Sequence, residues 1–442
     1  MLQKSLALLS SLILCFILSL SAYAQTPSSV TIGSFREDGF YPLSYRSSLA
    51  QADVTDQFYY SESFFDHPAT EYNTSLALTS LGMALSASTT WESYSDYGVT
   101  GDVGRENNLL ASYSQLGFSN IECHNYDKSR NDSSDSIAYS FAQKTYSENE
   151  TTKTILAIFL RGAGYGAEWV SNLHLGDGPS HAGFTTPVSA VYADFQQYLA
   201  AAQRSSDLGE VRLWIAGFSR GGTVANLLAA KIMNTLPEFT QQNTFVYTFA
   251  ASAAITANSP LDLQWDFGAQ DVSNSNIFNL INSIDLVSRM LPASWGYHRN
   301  GIDLYLPASQ YSEDVSTLNA LCYNRLDFST LPTTENVTLL ADALTEVSQN
   351  KTFYHEHYES FLMDLAQSLN THGDSTTVSS VPSILFRYRT IFSKPSTFSR
   401  LFSLRSLQTL RKFRFCHAPD TYLALLKYYQ PEQYSSFPMT LQ

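Results

Sequence analysis

Gly217-Phe218-Ser219-Arg220-Gly221 is the stretch whose residue types and spacing could do chemistry, because it isolates one serine between two glycines. A serine hydroxyl is a weak nucleophile until a base takes its proton, so the reading requires a histidine and a carboxylate to orient it. With those partners the chemistry is acyl transfer: attack on a carbonyl carbon, an oxyanion held by N–H groups, and an acyl-serine released by water. Asp285, in Asn282-Ser-Ile-Asp-Leu-Val287, is the preferred acid, since it directly follows an apolar, strand-like run. Asp271 and Asp303 fit less well, one in a polar stretch and the other opening a strand. Of the histidines beyond Asp285 (His298, His355, His357, His372 and His417), His417 is preferred. It stands in a loop after the last strand and can reach back over the sheet edge; the His355/His357 pair is its rival.

These residues need elements to hold them. Leu213–Ala216 reads as a buried strand, and Val224, Leu227, Leu228 and Ile232 recur at helical spacing. A strand, a Gly-x-Ser-x-Gly turn and a helix together make a nucleophile elbow, in which the glycines allow a sharp turn. The serine then stands at a helix N-terminus, where the N–H of Arg220 can receive an oxyanion. The second donor is Ala163 or Gly164, in the glycine-rich loop after the apolar run Ile155–Leu160. Further strands are expected at Phe245–Ala250, Phe278–Ile281 and Asp303–Leu306, with an amphipathic helix over Val188–Leu199. Upstream, helices are expected around Leu76–Leu85 and Leu109–Leu116, and strands at Asn120–Cys123 and Ile137–Tyr146, the latter turning at Ser147–Thr152.

Alternating strands and helices predict an α/β fold with a mostly parallel central sheet and helices on both faces. No element is placed between residues 25 and 70. Beyond Leu331, helices are expected at 339–347 and 361–365, then a Ser/Thr-rich break at Asp374–Ser380. The organisation expected is a signal peptide at 1–24, an N-terminal part of the core at 25–150, the main core at 151–325, a helical insertion or cap at 326–412, and a segment completing the core at 413–442.

The signal peptide is read from Lys4, the apolar run Leu6–Leu20 and the small-x-small site Ala22-Tyr23-Ala24. Its cleavage would leave an exported chain, and no later stretch approaches the length of a membrane span. Twenty-six basic and 40 acidic residues give a net charge of −14, which argues against nucleic acid as a partner. The odd number left after cleavage, Cys123, Cys322 and Cys416, allows at most one internal disulfide. Neither a Cys-x-x-Cys pair nor clustered histidines suggest a metal site. Asn73, Asn131, Asn149, Asn336 and Asn350 open Asn-x-Ser/Thr triplets that could carry glycans in a eukaryotic host. Residues 384–415 contain Arg387, Arg389, Lys394, Arg400, Arg405, Arg411, Lys412 and Arg414 without one acidic residue, interleaved with Phe, Leu and Tyr. Such a segment suits an anionic membrane or micelle surface, or equally a helical cap neutralised by the acidic remainder.

With these residues in hand, the chain resembles the class 3 lipases, the fungal-type triacylglycerol lipase family within the α/β-hydrolase superfamily, and especially its secreted bacterial members. The likeness rests on Phe159-Leu-Arg-Gly-Ala163 with Glu168, Trp169 and Asn172; on His181-Ala-Gly-Phe184; on the elbow; and on Asn282 to Pro292. A weaker block, His417-Ala-Pro-Asp-Thr-Tyr-Leu423, follows near the end. The resemblance implies an α/β-hydrolase fold, Ser219 as nucleophile, Asp285 as acid, Ala163 as an oxyanion donor and His181 as a structural histidine. The family usually has Ser or Thr where this chain has Ala163, so only the backbone N–H remains there.

The function expected is a secreted serine ester hydrolase, a lipase acting on acylglycerol esters, with Ser219, Asp285 and His417 as triad and Ala163 and Arg220 as oxyanion donors. Water completes such a cycle, so neither cofactor nor metal is called for. The same triad would serve a non-lipid carboxylesterase or an acyltransferase. A catalytically silent hydrolase-fold protein that binds lipid or glycan is the reading from a different class.

Overall fold

The computed structural model describes residues 38–50, 52–87, 107–126, 135–148, 150–163, 168, 171–265, 275–289, 291, 295–307, 312–347, 360–362, 364–365, 377–391, 395–401 and 403–435. The expected signal peptide, Asp271, Gly164, His355, His357 and His372 lie outside the described residues. Among the described residues, no helix is long and apolar enough to cross a membrane.

Seven strands form the central sheet: β3 (Ser119–His124), β4 (Tyr139–Glu148), β5 (Thr151–Leu160), β6 (Glu210–Phe218), β7 (Thr244–Phe249), β8 (Ile277–Asn282) and β9 (Ile302–Leu306). Their spatial order is their order in the chain. β3, β4 and β5 pair antiparallel, and β5 to β9 pair parallel. The sheet is therefore mostly parallel. Successive right-handed crossovers in one direction put their helices on the same side. Accordingly α3 (Ala182–Ser205) and α4 (Arg220–Thr235) share one face.

The period of two along each strand divides the core. Leu156, Ile158, Leu213 and Ile215 face α3 and α4, whereas Ala157, Phe159, Trp214 and Ala216 face the other way. That second face is covered by α1 (Thr74–Ser86), α2 (Asn107–Gln115) and α10 (Pro419–Tyr428), which come from opposite ends of the described chain. Burying each large apolar side chain contributes about 1.5–3 kcal/mol, and Trp214 adds a hydrogen bond from its indole N–H to Ser80 Oγ at 2.7 Å. Asn73 caps α1 by accepting from the Leu76 N–H, so this triplet's side chain serves a helix end.

Four elements correct the reading of the sequence. β1 (Gly39–Ser47) and β2 (Ala52–Tyr60) form an antiparallel hairpin where no element was expected. Leu43, Tyr45, Phe58 and Tyr60 point into the core, a period of two that was visible but set among Ser, Asp and Arg. α5 (Ser312–Leu321) was also missed. The Ser/Thr-rich break gives way at Thr377 to α7 (Thr377–Arg387), whose Ile384 and Leu385 are buried.

The remaining helices, α6 (Thr334–Val347), α7, α8 (Pro395–Leu401) and α9 (Leu404–Cys416), gather around a third apolar cluster. Val337, Leu340, Leu385, Leu410 and Phe413 meet Ile284, Leu286 and Val287 there, so these helices rest on the turn that carries Asp285. Cys123, Cys322 and Cys416 are not joined by a disulfide.

Candidate active site

Ser219 leaves β6 with φ 55° and ψ −120°, a backbone conformation that costs a non-glycine residue about 1–3 kcal/mol. Its N–H donates to the Phe249 carbonyl at 2.8 Å, and its own carbonyl accepts the Thr223 N–H at 3.0 Å. These bonds to β7 and to the first turn of α4 hold the strained residue. The flanking glycines are required by close approach. A Cβ on Gly217 would lie 2.3 Å from the Gly221 carbonyl oxygen, and one on Gly221 would lie 2.3 Å from that of Leu160. Through the second contact the end of β5 lies directly against the elbow.

The loop after β5 continues alongside the serine. A Cβ on Gly162 would come within 3.3 Å of the Phe218 carbonyl oxygen and 3.8 Å of Ser219 Cβ. Ala163 is the next residue, partly exposed. Arg161 before it and Glu168 after it, both 0 % exposed, form an ion pair with N–O distances of 3.1 and 3.2 Å. The pair ties both ends of the loop into the protein. Arg220 turns its guanidinium away from the serine. It donates to the Ser136 carbonyl from Nε at 3.0 Å and Nη2 at 2.9 Å, and to Asn172 Oδ1 at 3.0 Å. Burial pulls its pKa down to about 10.

Asp285 follows β8 in a turn closed by its own N–H on the Asn282 carbonyl, at 2.9 Å. Its carboxylate is fully buried and accepts the Val287 N–H on Oδ1 at 2.9 Å. On Oδ2 it meets His417 Nδ1 at 2.8 Å and accepts the Tyr422 hydroxyl at 2.8 Å. The other ring nitrogen of His417, Nε2, is 2.8 Å from Ser219 Oγ. With Nδ1–H donated to the carboxylate, Nε2 carries the lone pair that can take the serine proton. The structure thus brings Ser219, His417 and Asp285 into one hydrogen-bonded line, from three widely separated parts of the chain.

His417 occupies the C-cap of α9, its N–H bonded to the Phe413 carbonyl at 3.1 Å, and α10 begins two residues later. Phe218 packs against its ring, with centroids 5.4 Å apart. Ser219 and His417 are 6 % and 8 % exposed, so the site is largely covered.

The other candidates go elsewhere. His298 Nδ1 contacts the Gly296 carbonyl at 3.1 Å, and its backbone pairs with Ile255. Asp303 pairs with Arg299 at 2.6 Å. His181 is buried, with Nε2 3.1 Å from the Asn172 carbonyl, and burial lowers its pKa to about 3. Among the described residues, no group of three or more His, Cys, Asp or Glu side chains is arranged to hold a metal ion.

Two residues of this site had escaped the reading of the sequence. Tyr422 lay in the His-x-Pro-Asp-x-Tyr block without an assigned task. Asn282 donates from Nδ2 to the Cys416 carbonyl at 2.8 Å, beside the histidine.

The elbow, the loop before it and the acid turn after it all fall in one continuous segment. Residues 141–295 match the lipase (class 3) family. The matched segment runs from β4 past the acid turn, so it contains Ser219 and Asp285 and ends before His417. No curated protein matches this sequence. Among solved structures, the chain is similar to the Rhizomucor miehei lipase in its native propeptide complex, at 19% identity and a TM-score of 0.27. That alignment covers 38% of this chain and 52% of the Rhizomucor chain, about half its length. Lipase II from Rhizopus niveus aligns at 16% identity and a TM-score of 0.28, over 37% of this chain and 66% of its own. The lipase of Rhizopus microsporus var. chinensis aligns at 17% identity and a TM-score of 0.27, over 37% and 61%.

Proposed function

We propose that the protein is an exported serine ester hydrolase, a lipase acting on acylglycerol carboxylic esters. The observation that carries this reading is the unbroken line from Ser219 Oγ through both nitrogens of His417 to Asp285, with a strained serine at its head. In the proposed reaction Ser219 Oγ attacks the ester carbonyl as His417 Nε2 takes its proton. The carbonyl oxygen becomes an oxyanion held by the N–H groups of Ala163 and Arg220. Collapse expels the alcohol, which receives the proton from the imidazolium, and leaves an acyl-serine. Water, deprotonated by His417, then releases the carboxylic acid and restores the serine. Asp285 keeps the ring in the tautomer that leaves Nε2 free to accept. The run of residues 1–24 supports export, and the cation-rich residues 384–415 support docking on an anionic lipid surface.

Ser219→Ala is the direct test. Turnover of nitrophenyl esters should fall by a factor on the order of 10⁴ or more, while circular dichroism stays that of the parent. A fluorescent phosphonate should label the parent and not the variant. Turnover retained in Ser219→Ala, or a parent that the phosphonate does not label, would overturn the proposal. Comparing short and long acyl chains on the same assay then separates a lipase from an esterase of soluble substrates.

A further inference from the structure

Asp285 Oδ2 is shared by two donors, the His417 Nδ1–H and the Tyr422 hydroxyl, each at 2.8 Å. The tyrosine is itself held in one orientation. Its oxygen accepts the Asn282 N–H at 3.0 Å, which occupies a lone pair and leaves the hydroxyl proton directed at the carboxylate. Its ring is fully buried and stands edge-on to Phe218, with centroids 5.5 Å apart at 89°. Asn282 therefore serves both sides of the site, through its N–H to Tyr422 and through Nδ2 to the carbonyl beside His417.

We propose that Tyr422 is a positioning residue: its hydroxyl takes up part of the Asp285 charge and so sets both the orientation and the basicity of the His417 imidazole. A carboxylate bound by an extra O–H presents less negative charge to a neighbouring imidazolium, so the ring gives up its proton more readily. The hydroxyl stays a donor because burial and the adjacent carboxylate push its own pKa well above the usual tyrosine value. The other charged or titratable groups around this pair are Arg289 from the acid turn, Arg299 ahead of β9, and Lys412 and the Cys416 thiol from α9. The test leaves all of these unchanged. This inference extends the proposed hydrolase mechanism but has a readout that does not depend on turnover.

The experiment compares the full-length parent with Tyr422→Phe, which keeps the ring and removes only the hydroxyl. In histidine-labelled protein followed by NMR, the His417 ring should titrate at higher pH in the variant than in the parent. If esters are turned over, the acid limb of kcat/KM should move up by the same amount, and kcat should fall about tenfold with KM unchanged. Should Tyr422→Phe fail to fold, a ring-fluorinated tyrosine at this position, a stronger donor of nearly the same shape, should move the His417 titration to lower pH. An unmoved His417 titration overturns the inference, and so does a loss confined to thermal stability. A shifted titration in a protein that hydrolyses no ester would support the positioning role while refuting the proposed function.

Discussion

His417 and His181 are both buried, yet their surroundings prepare them for different things. His417 has a carboxylate on one ring nitrogen and a hydroxyl on the other, so either protonation state finds partners. His181 has a backbone carbonyl on Nε2, so a proton added at Nδ1 would be buried without a carboxylate to receive it, and burial pulls its pKa from 6.5 to about 3. The consequence for stability has a definite sign. Below pH 6.5 the unfolded chain takes up a proton that the folded one refuses, so this contribution is complete above 6.5 and is lost as pH falls toward 3. Within that window the group should remove about 1.4 kcal/mol of stability per pH unit. Urea unfolding at several pH values should accordingly show a shallower acid dependence for His181→Gln than for the parent. Parallel curves would show that His181 is not responsible.

At the scale of elements, the histidine owes its place to contacts between distant parts of the chain. Asp420, in the first turn of α10, is 3 % exposed. It accepts the hydroxyls of Ser47 and Ser48 and the N–H groups of Ser48 and Leu49, the last three at 2.7, 3.0 and 3.4 Å. One carboxylate thus binds the turn of the β1–β2 hairpin to the helix that follows His417. Asp420→Ala strips the acceptor from several buried donors and should cost on the order of 3 kcal/mol. Denaturant unfolding measures this, and Asp420→Asn should lose less. A change below about 0.5 kcal/mol, the size usual for a surface substitution, would show that the hairpin is held by its apolar face alone. Asp420 is visible in the sequence, but its partners lie more than 370 positions away, and no local pattern connects them.

For the whole molecule, the feature that matters is the uneven distribution of charge. The chain carries −14, whereas every charged residue between 384 and 415 is basic, and Phe386 stands 59 % exposed there. The Arg389 guanidinium lies over its ring at 4.4 Å, which couples a cation to an apolar plane at the surface. Docking on lipid through this patch predicts sedimentation with phosphatidylserine-containing vesicles and much less with neutral ones. Each surface cation contributes about 1 kcal/mol to such binding. Reversing one charge and removing the ring, in Phe386→Ser with Arg389→Glu, should therefore weaken it at least tenfold. Equal sedimentation with neutral lipid, or none lost in the variant, would rule out this patch as a lipid-docking surface. The same helices pack on the turn that carries Asp285 through Ile284, Leu286 and Val287, and His417 is the C-cap of α9, so this basic segment and the Ser219–His417–Asp285 line belong to one structure.

The sequence alone determined what local chemistry can encode. Apolar runs bounded by turns specified the strands from β5 to β9, since a strand covered on both faces is mostly apolar. Two glycines around Ser219 specified the elbow, since side chains there would meet backbone at 2.3 Å. Asp285 could be chosen because the position after a strand is itself a local property. The polar hairpin and the cap helices were harder to read, because half-exposed elements keep only part of the apolar pattern. Which histidine meets the serine was left between His417 and the His355/His357 pair for a different reason. Ser219 and His417 are 198 positions apart, and only the packing of α9 on the turn that carries Asp285 and of α10 on the sheet decides that their side chains lie 2.8 Å from each other. The same packing brings Tyr422 to Asp285, a contact that depends on where two helices end and not on any spacing in the chain.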